Sequence, residues 1–175
     1  AAVALTTAVV AAITTAIVRN LQPATPERPP IRFAYVLPRD QSFTRTGRHV
    51  LGISDDGNAL VYVANNQLYM KSNSDLTAKL VPGTNQDVNT PAFSPDGQWL
   101  LFYAVTEAKL KRISLAGGAS LALAAVDNPF GVDWYADDAV LVGQGQRGII
   151  RVSKSGNGKP ETVVASKPGE FAARR

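Results

Sequence analysis

The sequence predicts an all-β fold, a β-propeller of about three four-stranded blades, preceded by one N-terminal transmembrane-type helix. Three observations carry that prediction: a turn signature recurring about every forty residues, four short apolar runs inside each period, and an uncharged apolar segment ahead of them.

The repeat sets the fold. Ile53-Ser-Asp-Asp-Gly57-Asn-Ala-Leu60-Val-Tyr-Val63 matches Phe93-Ser-Pro-Asp-Gly97-Gln-Trp-Leu100-Leu-Phe102, and a weaker third copy reads Trp134-Tyr-Ala-Asp-Asp138-Ala-Val140-Leu-Val142. In the first period the strand-like runs are Val50 to Ser54, Ala59 to Ala64, Gln67 to Ser72 and Ala78 to Val81. The second has Pro91 to Ser94, Trp99 to Val105, Lys109 to Ser114 and Ser120 to Ala124; the third has Gly131 to Trp134, Ala139 to Gly143, Gly148 to Ser153 and Glu161 to Ala165. They are rich in Val, Ile, Leu and aromatic residues and are separated by Asp-Gly, Asn-Asn, Gly-Gly and Asn-Gly, which marks strands joined by tight turns.

Each turn has a chemical reason. Asp56-Gly57 and Asp96-Gly97 pair a carboxylate that bonds locally to the backbone with a glycine free to take positive φ. Pro95 fixes φ ahead of the second turn. The third copy carries Ala136, and Asp138 where the others have glycine, so its turn is expected to be looser. A sheet of this size cannot cover both of its own faces, so blades stack about an axis. An ordinary β-sandwich would need no such regular signature.

These periods divide the chain into blade 1 over residues 50–90, blade 2 over 91–130, blade 3 over 131–167, and the truncated start of a further blade over 168–175. Residues 31–49 lead in, with an extra strand expected at Ile31 to Leu37 that joins the last blade of a closed ring and covers its edge. The first residue is alanine and the last ones stop in mid-pattern, so a fragment of a longer chain is expected.

Ala1 to Val18 contain only Ala, Val, Leu, Ile and Thr. As a helix they would span roughly 27 Å, just short of a hydrocarbon core of about 30 Å. A spanning helix is the reading preferred here. A cleaved signal segment would show a charged start, and a buried core helix would show a polar face. Residues 19–30 follow with four prolines between Leu21 and Pro30, which favours an extended stalk. The order of anchor, stalk and globular region predicts a single-pass membrane protein whose propeller is extracytoplasmic, touching the bilayer through residues 1–18.

The pI near 9.5 raises nucleic acid as a partner, but the excess charge is local. Between Arg19 and Val50 six arginines face Glu27 and Asp40, whereas from Leu51 onward twelve cations face twelve acids. A basic patch beside an apolar segment suits a membrane surface, and no nucleic-acid partner is expected. There is no cysteine, hence neither disulfide nor thiolate metal site. The single histidine, His49, is read as a solvated loop residue with no metal role.

At Phe93-Ser-Pro-Asp-Gly-Gln-Trp-Leu-Leu-Phe102, followed by Lys109-Leu-Lys-Arg-Ile-Ser-Leu-Ala-Gly-Gly118, the sequence resembles the TolB-like, WD-repeat-like propeller repeats of bacteria. The resemblance covers about Val50 to Ala165, and implies a ring of about six blades, of which roughly half is present. With the anchor ahead of it, the arrangement looks like the extracytoplasmic region of bacterial membrane serine/threonine protein kinases. That resemblance implies a sensor that binds a protein, peptide or cell-wall ligand, with any kinase activity outside this chain. No Val-Ala-Ile-Lys, His-Arg-Asp or Asp-Phe-Gly occurs here. TolB proper carries another domain before its propeller, where this chain has a bare stalk. Two other settings also fit such repeats: a propeller gating a downstream prolyl-oligopeptidase-like hydrolase, and a TolB-like scaffold released into the periplasm by signal cleavage.

Catalytic, cofactor and metal residues are expected to be none. Gly143-Gln-Gly145-Gln-Arg-Gly148 fits Gly-x-Gly-x-x-Gly, but the β-branched Ile149-Ile150-Arg151-Val152 follows where dinucleotide binding needs a helix, so a glycine-rich hairpin is predicted. Asp55-Asp56 and Asp137-Asp138 lack the ladder of a calcium loop and read as solvated turns. No Gly-x-Ser-x-Gly elbow is present. Trp99 and Trp134 fall at inward positions and are expected in the core.

Overall fold

The computed structural model describes residues 32–135 and 139–166. Residues 1–36 and 37–175 form two units. The expected helix over Ala1 to Val18 and the stalk over 19–30 lie outside the described residues, as do Ala136, Asp137, Asp138 and the segment from Lys167. Among the described residues no helix is long and apolar enough to cross a membrane.

Three four-stranded antiparallel sheets are built in chain order, each strand pairing with the next. Sheet 1 comprises β1 (Leu51–Ile53), β2 (Ala59–Ala64), β3 (Gln67–Ser72) and β4 (Lys79–Leu80). Sheet 2 comprises β5 (Val88–Phe93), β6 (Trp99–Ala104), β7 (Lys109–Ser114) and β8 (Leu121–Ala125). Sheet 3 comprises β9 (Gly131–Tyr135), β10 (Ala139–Gly143), β11 (Ile149–Ser153) and β12 (Glu161–Val164). Four of the twelve strands among the described residues, β2, β3, β7 and β10, begin and end at the predicted residues.

The signature turns are closed by a side-chain relay. Ser54 Oγ donates to Asp56 Oδ1 at 2.6 Å and accepts the amide of Ala59 at 2.9 Å, while Asp56 Oδ1 also accepts the amide of Asn58 at 3.0 Å. Sheet 2 repeats the arrangement: Ser94 Oγ donates to Asp96 and accepts the Trp99 amide, and Asp96 accepts the Gln98 amide. Gly57 and Gly97 take φ of 72° and 65°, the left-handed region that the turn requires.

Side chains that alternate in direction along the central strands give sheet 2 two apolar faces. Val61, Val63 and Leu68 of sheet 1 meet Phe93, Leu100, Phe102 and Ile113 of sheet 2 in one core. Leu101, Tyr103 and Leu110, on the other side of sheet 2, meet Val140, Val142, Ile150 and Val152 of sheet 3 in a second. Each fully buried side chain of this size contributes about 1.5–3 kcal/mol relative to exposure. Both cores are shared between neighbouring sheets.

Two expectations are corrected here. No strand forms over the described residues of Ile31 to Leu37. A strand exists only where another backbone accepts its ladder, and the lead-in meets one first at Phe43, which bridges Ala64 at the end of β2. Around it, Asn65 Nδ2 donates to the Asp40 carbonyl at 2.8 Å and the Asn66 amide to Thr44 Oγ1 at 2.9 Å, so the lead-in clasps the Asn65-Asn66 turn. The first strand of blade 2 also begins at Val88, earlier than Pro91. Proline has no N–H and reads as a strand boundary, but a register shift between Asn89 and Ala92 takes Thr90 and Pro91 out of the ladder and lets pairing resume.

Candidate binding surface

The loops preceding the first strand of each sheet gather at one end of the stack and are tied together by arginines. Arg45 of the lead-in forms an ion pair with Asp87, ahead of β5, its Nε 2.9 Å from Oδ1. Arg48 reaches further, to the loop ahead of β9: its Nε donates to Asn128 Oδ1 at 3.3 Å, and its guanidinium lies 4.2 Å from the centre of the Phe130 ring. Arg147, in the β10–β11 hairpin, pairs with Asp127 of that same loop. The pairs at Arg45 and Arg147 are exposed, so they orient loops more than they stabilise the fold.

His49 sits among these loops with its side chain exposed. Its carbonyl accepts the Thr90 amide at 2.8 Å, and its ring lies beside Gly131, where an added Cβ would be 3.7 Å from Cε1. It is a solvated loop residue that also links β1 to the first strands of the next two sheets. Thr90 holds φ of 55°, rare for a β-branched residue, and its hydroxyl donates to buried Asn89 at 2.8 Å.

Beside Phe130 opens a cavity of about 1090 Å³ bounded by Asp127, Asn128, the Gly143 to Ile149 hairpin and the end of β12. The hairpin contains one turn of 3-10 helix at Gly145–Arg147 and passes directly into β11, so the Gly-x-Gly-x-x-Gly segment has no following helix to receive a pyrophosphate. Its glycines serve packing. A Cβ on Gly145 would lie 2.7 Å from the Phe130 ring, and one on Gly148 would lie 1.9 Å from the Val164 carbonyl oxygen. Glycine there lets the hairpin lie flat against both walls of the cavity.

The remaining candidates disperse. Asp56 is a turn residue, its carboxyl lowered to a pKa of about 2 by the Ser54 hydroxyl and the Asn58 amide. Asp96 is lowered likewise, by Ser94 first. Asp55 is exposed beside it, and Asp137 and Asp138 lie outside the described residues. Trp134 packs at the margin of the second core with its Nε1 buried and lacking an acceptor. Trp99 departs from expectation: it is half-buried, with the Arg112 guanidinium 4.3 Å from its ring centre. It is the first residue of β6, next to the turn, and lies outside both cores. Among the described residues no group of three or more His, Asp or Glu is placed to hold a metal.

Sequence reasoning missed the cavity. Its walls come from three loops far apart in the chain, and the one local signal, the glycine-rich hairpin, carried no information about what it packs against.

No sequence family and no curated protein matches the chain. Solved structures do. A hydrazine synthase from Kuenenia stuttgartiensis superposes with a TM-score of 0.56 at 14% identity, covering 77% of this chain and 41% of that one. A nidogen/laminin complex gives 0.52 at 12% identity over 63% of this chain and 45% of that one. TolB from Acinetobacter baumannii gives 0.50 at 15% identity over 67% and 32%. The fold is a β-propeller, similar to TolB. The match spans less than half the length of each of these chains. At such identities the likeness concerns the fold alone.

Proposed function

We propose that this propeller is an extracytoplasmic binding module, held at a membrane by residues 1–18, that takes a protein, peptide or cell-wall ligand as the sensor region of a bacterial membrane serine/threonine protein kinase. The chain itself performs no catalysis in this reading. The observation that carries the binding role is the cavity beside Phe130. It combines an aromatic wall, Phe130, against which Arg48 stacks, with a glycine hairpin and the ion pair of Arg147 with Asp127, a surface suited to a ligand with apolar and polar parts. The apolar anchor and proline stalk of the sequence support the tethered setting.

Two measurements test the reading. Calorimetric titration with soluble peptidoglycan fragments and with acidic peptides should give binding that Phe130→Ala and Arg147→Ala each weaken by about tenfold, equivalent to about 1.4 kcal/mol. Absence of binding to both ligand sets removes the support from the cavity. Sequencing the parent gene on both sides tests the kinase setting: a kinase domain upstream is expected, and a hydrolase elbow downstream overturns it.

A further inference from the structure

An asparagine carboxamide and the backbone nitrogen that follows it can close into a five-membered ring, which is one reason asparagine is thermolabile. Whether they meet is decided by the size of the next side chain and by what already holds the two groups. Glycine follows asparagine at one place in the sequence, Asn157-Gly158. The pair lies in the connection between β11 and β12, with both residues exposed. Among the described residues no group hydrogen-bonds the Asn157 carboxamide or the Gly158 amide.

The Asp-Gly turns show what restraint looks like. Gly57 and Gly97 each donate their amide to a serine carbonyl at 2.8 Å, and the carboxylates of Asp56 and Asp96 accept from the Ser54 and Ser94 hydroxyls and the Asn58 and Gln98 amides. Nitrogen and carboxylate are each engaged there, and an ionised carboxylate resists attack. The Asn65 carboxamide donates to the Asp40 carbonyl, and the Asn66 amide after it donates to Thr44. Asn128 precedes Pro129, whose nitrogen has no hydrogen to lose. None of these restraints acts on Asn157.

We propose that Asn157 is a site of spontaneous deamidation, and that the isoaspartate formed there lifts the β11–β12 connection off β8. The Gly158 nitrogen bonds to the carboxamide carbon, the carbon–nitrogen bond of the carboxamide breaks, and ammonia leaves with the hydrogen that the Gly158 amide gives up. Water then opens the succinimide ring at either carbonyl, to aspartate or to isoaspartate. In isoaspartate the backbone runs through the side-chain methylene and is one atom longer. The connection has no room for that atom. Gly156, whose amide donates to the Ser153 carbonyl at 3.1 Å, lies so close to β8 that an added Cβ would stand 2.7 Å from the Ala122 carbonyl oxygen. The obstruction is strand backbone next to Leu123, which is buried in the second core, so the connection moves and the strand does not.

The test is prolonged incubation of the full chain in mildly alkaline buffer, followed by tryptic mapping with mass spectrometry. The peptide from Ser155 to Arg174 carries no other carboxamide side chain, so conversion is read there unambiguously. It should split into aspartate and isoaspartate forms at a rate within about tenfold of the same peptide free in solution, a barrier difference of about 1.4 kcal/mol. A native chain slower than that overturns the proposal, because the fold then holds the two groups apart. Gly158→Ala should slow conversion by about tenfold or more. Its Cβ would meet Ser153 Cβ at 3.6 Å, an ordinary contact, so the fold is kept. An unchanged rate in that variant rules out ring closure through the Gly158 nitrogen and overturns the proposal equally. The isoaspartate form, separated chromatographically, should exchange the amide hydrogens of Leu121 to Ala125 faster than fresh protein. Asn157→Asp, which brings the charge without the longer backbone, should not. Equal exchange in the isoaspartate form and fresh protein, or the same acceleration in Asn157→Asp, overturns the displacement of the connection.

Discussion

Gly52 of β1 lies against the backbone of Pro91 in β5: a Cβ built on Gly52 would stand 3.1 Å from the Pro91 carbonyl oxygen and 3.0 Å from Val61 Cγ1. Here the first strands of two neighbouring sheets approach closely, and one of the two obstructing atoms is backbone, which cannot rotate away. Gly52→Ala should cost about 1–3 kcal/mol in a urea melt, and Gly52→Val more, because overpacking forces the strands apart. Gly57→Ala makes the contrast. Nothing lies within 4 Å of its added Cβ, and its cost, about 1–2 kcal/mol, comes only from φ of 72°. If Gly52→Ala is neutral, the close approach of the two strands is wrong.

Ser94 holds its turn through two bonds at once, donating to Asp96 and accepting the amide of Trp99. Its replacement by alanine leaves that amide without its partner and should destabilise the fold by about 1–2 kcal/mol. The same change removes the chief cause of the lowered Asp96 carboxyl, so its pKa, followed by NMR, should rise toward the ordinary value. A destabilised protein with an unmoved Asp96 would mean that the relay is not what lowers it.

Acid should unfold this protein through its turns. Asp56 has an ordinary pKa of 3.8 and a folded one of about 2. The depressed folded value means that its contribution is complete above the ordinary pKa and disappears as pH falls through the folded one. Asp96 and Glu107, the latter lowered mainly by its bond to Lys111, act in the same direction. The melting temperature should hold steady down to about pH 4 and then fall, with a gentler fall in Asp56→Asn. An identical acid slope in that variant would rule out Asp56 as a contributor.

How far a sequence discloses such a fold depends on where the information sits. The blades were legible because Asp56-Gly57 and Asp96-Gly97 fix turns locally, and unbroken apolar runs such as Leu100 to Phe102 follow from burial on both sides. The bulge at Thr90 and Pro91 was not legible, since it depends on β6 accepting a shifted register. Nor was the role of Gly145 and Gly148, whose φ values suit any turn but whose necessity comes from Phe130 and Val164 across the chain. The lead-in strand was misplaced for a related reason: Ile31 to Leu37 has strand composition, but pairing is decided by what lies alongside. Trp99 illustrates the limit of a pattern that gives the facing of a residue and not how far the neighbouring layer extends over it.

The sharing of each core between two sheets also dictates how the molecule comes apart. Sheet 2 contributes to both cores, whereas sheets 1 and 3 contribute to one each. Opening an outer sheet breaks one interface; opening the middle one breaks two, which makes the array a short linear chain of nearest-neighbour couplings. Amide hydrogens of Leu101, Phe102 and Tyr103 should therefore be the last to exchange with deuterated solvent, and those of β1 and β12 among the first. Among the described residues, opening is expected to begin in sheets 1 and 3 and to reach sheet 2 last.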